Sequence, residues 1–326
     1  MKTYLSGDPI ADRRADYAAM LADAGEAAAA ADVMAQALEA APDWPAGWFR
    51  LGSFHEAAGA VQNAADAYRE ALRRDPEDTV GASLKLALLG VMPLPEAPPA
   101  AYVEGLFDQY SDRFDAALLQ RLHYCVPQMI EAAMIEFGAH EAYARALDLG
   151  CGTGLMGERL RRRVSRLVGV DLSEGMIAKA RRKGLYDELH QQDAAGFSDP
   201  ISYDLVTAAD VLAYLGDLSP VFSRVHQLAQ PGALFAFTVE RHDGAEDYVL
   251  QTSMRYAHSR AYLTRLAEQS GFEIRDIQPL TLRLDRGEPV EGWLAVLAAR
   301  FPLLVGGAAP AIADDETLAA AKPPLM

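Results

Sequence analysis

The run Leu147-Asp148-Leu149-Gly150-Cys151-Gly152-Thr153-Gly154 constrains this chain more than any other. It is the end of a buried strand passing straight into a loop with glycine at alternate positions. A second apolar run, Leu167-Val168-Gly169-Val170, ends in another acid, Asp171. Alternate glycines let a backbone approach a ligand and turn sharply into a helix. Two such strands with an acid closing the second describe adjacent parallel strands with a nucleotide-type ligand across their carboxyl ends.

The flanking pattern agrees. Strands are expected at 146–149, 166–170, 189–192, 203–208 and 233–239, with helices starting near Gly154, Ser173, Leu218 and Ser259. That alternation predicts a doubly wound α/β sheet. Beyond Gly271, Phe272–Leu284 and Val290–Ala299 read as two strands joined by Asp285-Arg286-Gly287-Glu288-Pro289, an antiparallel hairpin foreign to the ordinary dinucleotide fold. Upstream, residues 1–92 are alanine-rich and helical in period. Met92-Pro93-Leu94-Pro95-Glu96-Ala97-Pro98-Pro99 reads as a proline-rich linker, residues 93–100, separating an all-α part from a second domain at 101–300. Helices at 101–140 precede the sheet as a lid, and the Ala/Pro/Gly-rich tail 301–326 reads as partly mobile.

Composition excludes some functions. The net charge of −16 disfavours a nucleic-acid partner. Two isolated cysteines, Cys125 and Cys151, make no disulfide framework, and no Cys/His spacing suggests a metal. Asp8, Asp12, Arg13 and Arg14 interrupt any signal-like start, and no stretch is long enough to span a membrane. The expectation is a cytoplasmic protein.

Two resemblances sharpen this reading. Trp48, Leu51, Gly52, Ala64, Tyr68, Ala71 and Pro76 resemble a tetratricopeptide repeat of about 34 residues, with His55 a departure from its aromatic position. Ala30, Met34, Ala37 and Pro42 form a degenerate copy, and Thr79–Leu89 a truncated one. Residues 100–300 resemble the class I S-adenosylmethionine-dependent methyltransferases, Rossmann-like domains with a mostly parallel sheet of about seven strands ending in an antiparallel hairpin. Asp148, Gly150, Cys151, Gly152 and Gly154 carry that family's first motif, and an acid ahead of the first glycine suits a cofactor bearing an ammonium or sulfonium group. The resemblance implies that Asp171 accepts from both ribose hydroxyls and that Leu172 and Met176 pack on the adenine. Asp193 would accept from the adenine amino group, with Ala194 beside it. Ala209 and Asp210 end the fourth strand next to the methyl donor, and Tyr110 reaches the methionine end. The order of parts resembles bacterial methyltransferases carrying such repeats.

Methyl transfer is an in-line displacement needing alignment and exclusion of water more than a base. The candidates for a base are His258 and Tyr256 in Arg255-Tyr256-Ala257-His258-Ser259, expected at the rim of the cleft, together with Asp210 and Tyr214. The fourth strand runs into Ala209-Asp210-Val211-Leu212, without the proline-proline-aromatic motif that holds a flipped base. The expected acceptor is a small molecule at oxygen, nitrogen or carbon. A protein acceptor or self-association through the repeats, a non-catalytic interaction protein with a relic cofactor domain, and an NAD-dependent oxidoreductase are the alternatives.

Overall fold

The computed structural model describes residues 5–110, 124–138, 140–285 and 287–300, without the side chains of Gln109 and Tyr110. The roles expected of Tyr110, of residues 111–123 and of the tail 301–326 lie outside the described residues.

The amino-terminal part is helical: α1 (Pro9–Asp23), α2 (Ala27–Ala40), α3 (Pro45–Ala57), α4 (Val61–Arg74) and α5 (Ala82–Leu88). Asp8 starts α1 by accepting from the amides of Ile10 and Ala11 at 2.7 and 3.0 Å. Gly25 and Gly59 occupy left-handed conformations in the turns after α1 and α3, about 34 residues apart. Ala30, Met34 and Ala37 of α2, and their counterparts Ala64, Tyr68 and Ala71 of α4, are all fully buried. Alanine on these faces lets helices pack closely. At Gly52 the approach is tighter still, because an added Cβ would lie 2.6 Å from the Tyr68 ring. Gly52→Val is therefore expected to destabilise the chain by about 1–3 kcal/mol through overpacking, read as a lower denaturant midpoint with unchanged slope.

The chain then passes through residues 93–99 to α6 (Ala100–Tyr110) and α7 (Val126–Phe137), and enters the sheet. Its strands are β1 (Tyr143–Leu149), β2 (Val164–Asp171), β3 (Glu188–Gln191), β4 (Tyr203–Ala208), β5 (Ala229–His242), β6 (Tyr248–Leu250), β7 (Tyr256–Ser259), β8 (Phe272–Asp285) and β9 (Glu288–Ala299). The helices between them are α8 (Leu155–Leu160), α9 (Glu174–Lys183), α10 (Ser219–Leu228) and α11 (Arg260–Gln269). The order is β3-β2-β1-β4-β5-β7-β6, with β9 antiparallel to β5 and β8 antiparallel to β9. The sheet thus has nine strands rather than about seven. Both faces are covered. Leu147, Leu149, Val206, Phe235 and Phe237 meet α10 and α11, while Ala146, Leu205, Leu234 and Val296 meet α7 and α8.

One difference from the sequence reading matters for the site. Residues 255–259, expected at the rim of the cleft, are mostly strand β7. Short strands carrying Tyr, His and Ser give a weak period-2 signal, so the pairing decides. β5 outruns β4, pairing Phe237 with Ala208 and continuing to His242. Glu240 pairs with Gly292 of β9 on one edge and with Ala257 of β7 on the other. β7 therefore occupies the β4 edge, above the point where β4 ends.

Nor is the proline-rich stretch a free tether. The Glu96 carbonyl accepts from the amides of Gly216 and Asp217 at 2.9 and 3.1 Å, and the Pro95 carbonyl accepts from the Tyr256 hydroxyl at 2.7 Å. A strap of chain is thus fastened across the sheet's carboxyl edge. Among the described residues, no helix is long and apolar enough to cross a membrane.

Candidate functional site

A cavity of about 210 Å³ opens above the carboxyl ends of β1, β2 and β4. Its floor is the glycine loop. Gly150, Gly152 and Gly154 have φ of 65°, 54° and 92°. At Gly150 a side chain is also barred sterically, since a Cβ would meet Val211 at 2.3 Å. The loop is tied to β2 twice: the Cys151 amide donates to the Val170 carbonyl at 3.0 Å, and the Gly152 amide donates to Asp171 Oδ2 at 2.8 Å. Asp171 Oδ1 accepts from the Ser173 amide at 2.9 Å. Burial pushes the Asp171 carboxyl above its usual range, and these two amides oppose that by favouring the carboxylate.

Gly150, Cys151, Gly152, Asp171, Leu172, Asp193, Ala194, Ala209 and Asp210 all line the cavity. Asp193 is exposed and accepts from the Ala195 amide at 2.9 Å. Five of the expected residues do not line it, each for a packing reason. Asp148 is fully buried on the α8 side of β1, where it accepts from the Tyr186 hydroxyl at 2.7 Å and the Thr207 hydroxyl at 2.9 Å. Burial raises its pKa to about 7, against those two donors. Asp148 thus braces the loop from behind and does not line the cavity. Gly154 caps α8, and Tyr186 fills the space beside it and beside Gly157 and Gly169. Met176 is fully buried on α9.

The two base candidates, His258 and Tyr256, are fully buried in β7. His258 Nε2 lies 2.9 Å from the Gly216 carbonyl, and burial lowers its pKa to about 4, so the ring is neutral near pH 7. Tyr256 is spent on the Pro95 carbonyl. Tyr256 thus anchors the strap and His258 holds the Gly216 segment on which the strap rests, and neither side chain lines the cavity. Tyr256→Phe should release Pro95 and loosen the neighbouring Glu96 contacts. Amide exchange at Gly216 and Asp217 is expected to speed up about five- to tenfold, as for the loss of one hydrogen bond.

The strap and α6 supply the outer wall through Ala97, Pro98, Ala100, Val103 and Phe107. Phe107 meets the Tyr214 ring edge-on at 5.0 Å. Asp108 of α6 holds the start of α9, accepting from the Ser173 hydroxyl and from the Gly175 amide at 3.1 Å. Tyr124 and Pro127 close the side nearest α7.

A charged network that sequence reasoning missed stands opposite Asp171. Arg283 Nη1 donates to both oxygens of Asp210 at 2.8 Å, and its Nη2 donates to Glu240 Oε1. Arg255 Nε donates to the Tyr214 hydroxyl at 3.1 Å, and its Nη1 lies 3.8 Å from Glu240 Oε1. Burial raises the Glu240 pKa, opposed by the two arginines. Asp210 has φ 58°, a left-handed conformation costly for a non-glycine residue, and its amide donates to Thr238 Oγ1 at 3.0 Å. One signal was available: Glu240 is an acid directly following the apolar run Leu234–Val239.

Comparison with known proteins bears on this site. Residues 147–235 match the family described as Methyltransferase domain. The ubiquinone biosynthesis O-methyltransferase of Pseudomonas aeruginosa (strain UCBPP-PA14) is 29% identical over 157 residues, covering 42% of this chain and 68% of that protein. That of Hahella chejuensis is 33% identical over 135 residues, covering 35% and 54%. Among solved structures, the [4+2]-cyclase SpnF superposes with a TM-score of 0.52 at 16% identity, over 64% of this chain and 98% of that one, a likeness of fold. Sheet order, glycine loop and family match agree: the chain carries a class I S-adenosylmethionine-dependent methyltransferase domain.

Proposed function

We propose that the cofactor lies over β1, β2 and β3 and that a small-molecule acceptor is methylated in the space bounded by the strap, Phe107, Tyr214 and Arg255. The observation that carries this is Asp171. Its carboxylate lines the cavity, is fixed by two backbone amides, and has acceptor capacity left on each oxygen for a pair of ribose hydroxyls. Leu172 and Ala194 offer apolar surface to an adenine, and the Asp193 carboxylate can accept from its amino group. When bound, the cofactor supplies an electrophilic methyl carbon. The chain's own residues orient the partners and exclude water, with Asp210 held in place by Arg283.

We read α1–α5 as tetratricopeptide-like repeats that set the position of the strap. Met254, beside Arg255, packs against Gly81 at the start of α5 and lies 3.9 Å from the Tyr102 hydroxyl of α6, which supports this. Two free cysteines fit a cytoplasmic location.

Calorimetry with S-adenosylmethionine, S-adenosylhomocysteine and NAD in turn tests the reading. Micromolar binding of both adenosyl compounds and none of NAD is expected. Binding of NAD alone would replace the methyl-transfer reading with hydride transfer, and binding of none would leave a relic domain.

A further inference from the structure

We propose that Arg255 is the anion-recognising residue of the acceptor half of the cavity, and that the acceptor is an aromatic carboxylate. The inference rests on the methyl-transfer reading and adds the substrate class to it.

Topology places Arg255 first. Because β7 takes the β4 edge of β5, the residue just before it, Arg255, stands over the end of β4, beside the Asp210 turn. Asp171, Asp193 and the glycine loop belong to β1, β2 and β3. The nucleoside end and Arg255 therefore occupy different parts of one cavity.

The two arginines of the network differ in how far they are used. Arg283 has 3% of its side chain exposed and is bound to two carboxylates. Arg255 keeps 29% of its side chain exposed and lines the cavity. Among the described residues its side chain makes one hydrogen bond, from Nε to Tyr214, and its nearest carboxylate oxygen is the 3.8 Å contact to Glu240. A guanidinium carries five N–H donors in a planar fork that matches a carboxylate. Most of that fork is unused, and it is held in place, with Cζ 5.5 Å from the Tyr214 ring centroid.

Charge is divided between the two halves of the cavity. Asp171 and Asp193 stand at the nucleoside end, where they meet the cofactor's positive charge, while in the acceptor half Arg255 and Arg283 stand against Asp210 and Glu240. An acceptor carboxylate therefore meets the guanidinium of Arg255 rather than the acids of the nucleoside end. The rest of the lining suits an aromatic body: Phe107, Tyr214, Ala97 and Pro98 make an apolar slot leading to the guanidinium.

The test is calorimetry on the full chain saturated with S-adenosylhomocysteine, using benzoate and its uncharged isostere benzamide as probes. The wild type is expected to bind benzoate at least tenfold more tightly than benzamide. Arg255→Gln should abolish that preference while leaving S-adenosylhomocysteine affinity within about twofold, and Arg255→Lys, which keeps the charge but loses the fork, should retain part of it. Three results overturn the proposal: no preference in the wild type, a preference that survives in Arg255→Gln, or weakened S-adenosylhomocysteine binding with benzoate unaffected. The last would mean that Arg255 holds the cofactor's own carboxylate. The wild-type and lysine arms keep the test decisive if the glutamine variant does not fold. If the wild type fails to bind S-adenosylhomocysteine, the methyl-transfer reading itself falls. If it binds but discriminates nothing, only the carboxylate assignment falls.

Discussion

Asp171→Ala is expected to weaken S-adenosylhomocysteine binding roughly a hundred- to a thousandfold. The carboxylate has two tasks. It fixes the glycine loop through the Gly152 amide and the turn into α9 through the Ser173 amide. In the proposed complex it also accepts from two ribose hydroxyls. Hydrogen bonds to a charged group contribute about 1.5–3 kcal/mol each, and losing both to the ligand at the lower end of that range gives roughly 3–4 kcal/mol, a hundred- to a thousandfold at 1.4 kcal/mol per tenfold. Asp171→Asn separates the two tasks, because one amide oxygen can still accept from the loop. Calorimetry on both variants checks this. An unchanged affinity in Asp171→Ala would place the nucleoside elsewhere in the cavity.

Arg283→Met should destabilise the fold by about 3–5 kcal/mol, the cost of stranding the buried Glu240 carboxylate, and the half-buried one of Asp210, without their partner. Glu240 is 2% exposed, and Asp210 is held in a left-handed turn by the same guanidinium. Methionine roughly keeps the volume, so the loss is electrostatic. At 2–4 °C per kcal/mol, melting should fall by roughly 10 °C. Glu240→Gln in the same chain should recover part of it, since an amide needs no counter-charge. A drop under about 1 kcal/mol would mean that water reaches the network and screens it.

The legible parts of this protein were those whose signal is local. The glycine loop and Asp171 show in the sequence because left-handed backbone needs glycine and because a strand end must carry its acid at a fixed spacing from the next. The parallel strands show because strands buried on both faces are continuous apolar runs. Asp148 was legible as part of a motif and misleading as to role. Alternation along β1 turns it to the face opposite Leu147 and Leu149, where Tyr186 and Thr207 take it up, and a one-dimensional reading has no way to see who sits behind a strand.

His258 and Tyr256 show the other limit. Residue type marked them as acid–base candidates, but β5 extends past β4 and leaves an edge that residues 256–259 fill. Ladder pairing buried both side chains and turned Tyr256 to the Pro95 carbonyl and His258 to that of Gly216. Likewise, prolines at 93–99 announced an extended segment, while the hydrogen bonds of Pro95 and Glu96 made it a wall of the cavity.

The sequence by itself determined the fold class, the glycine loop and the acid that organises it, because these follow from backbone sterics and hydrophobic period over short spans. Only the tertiary structure decided which charges meet. Asp210, Glu240, Arg255 and Arg283 come from four separate stretches of chain, and a buried ion network exists only once β5, β7 and β8 are brought to the same edge. Its energy depends on distances and burial that spacing along the chain does not encode.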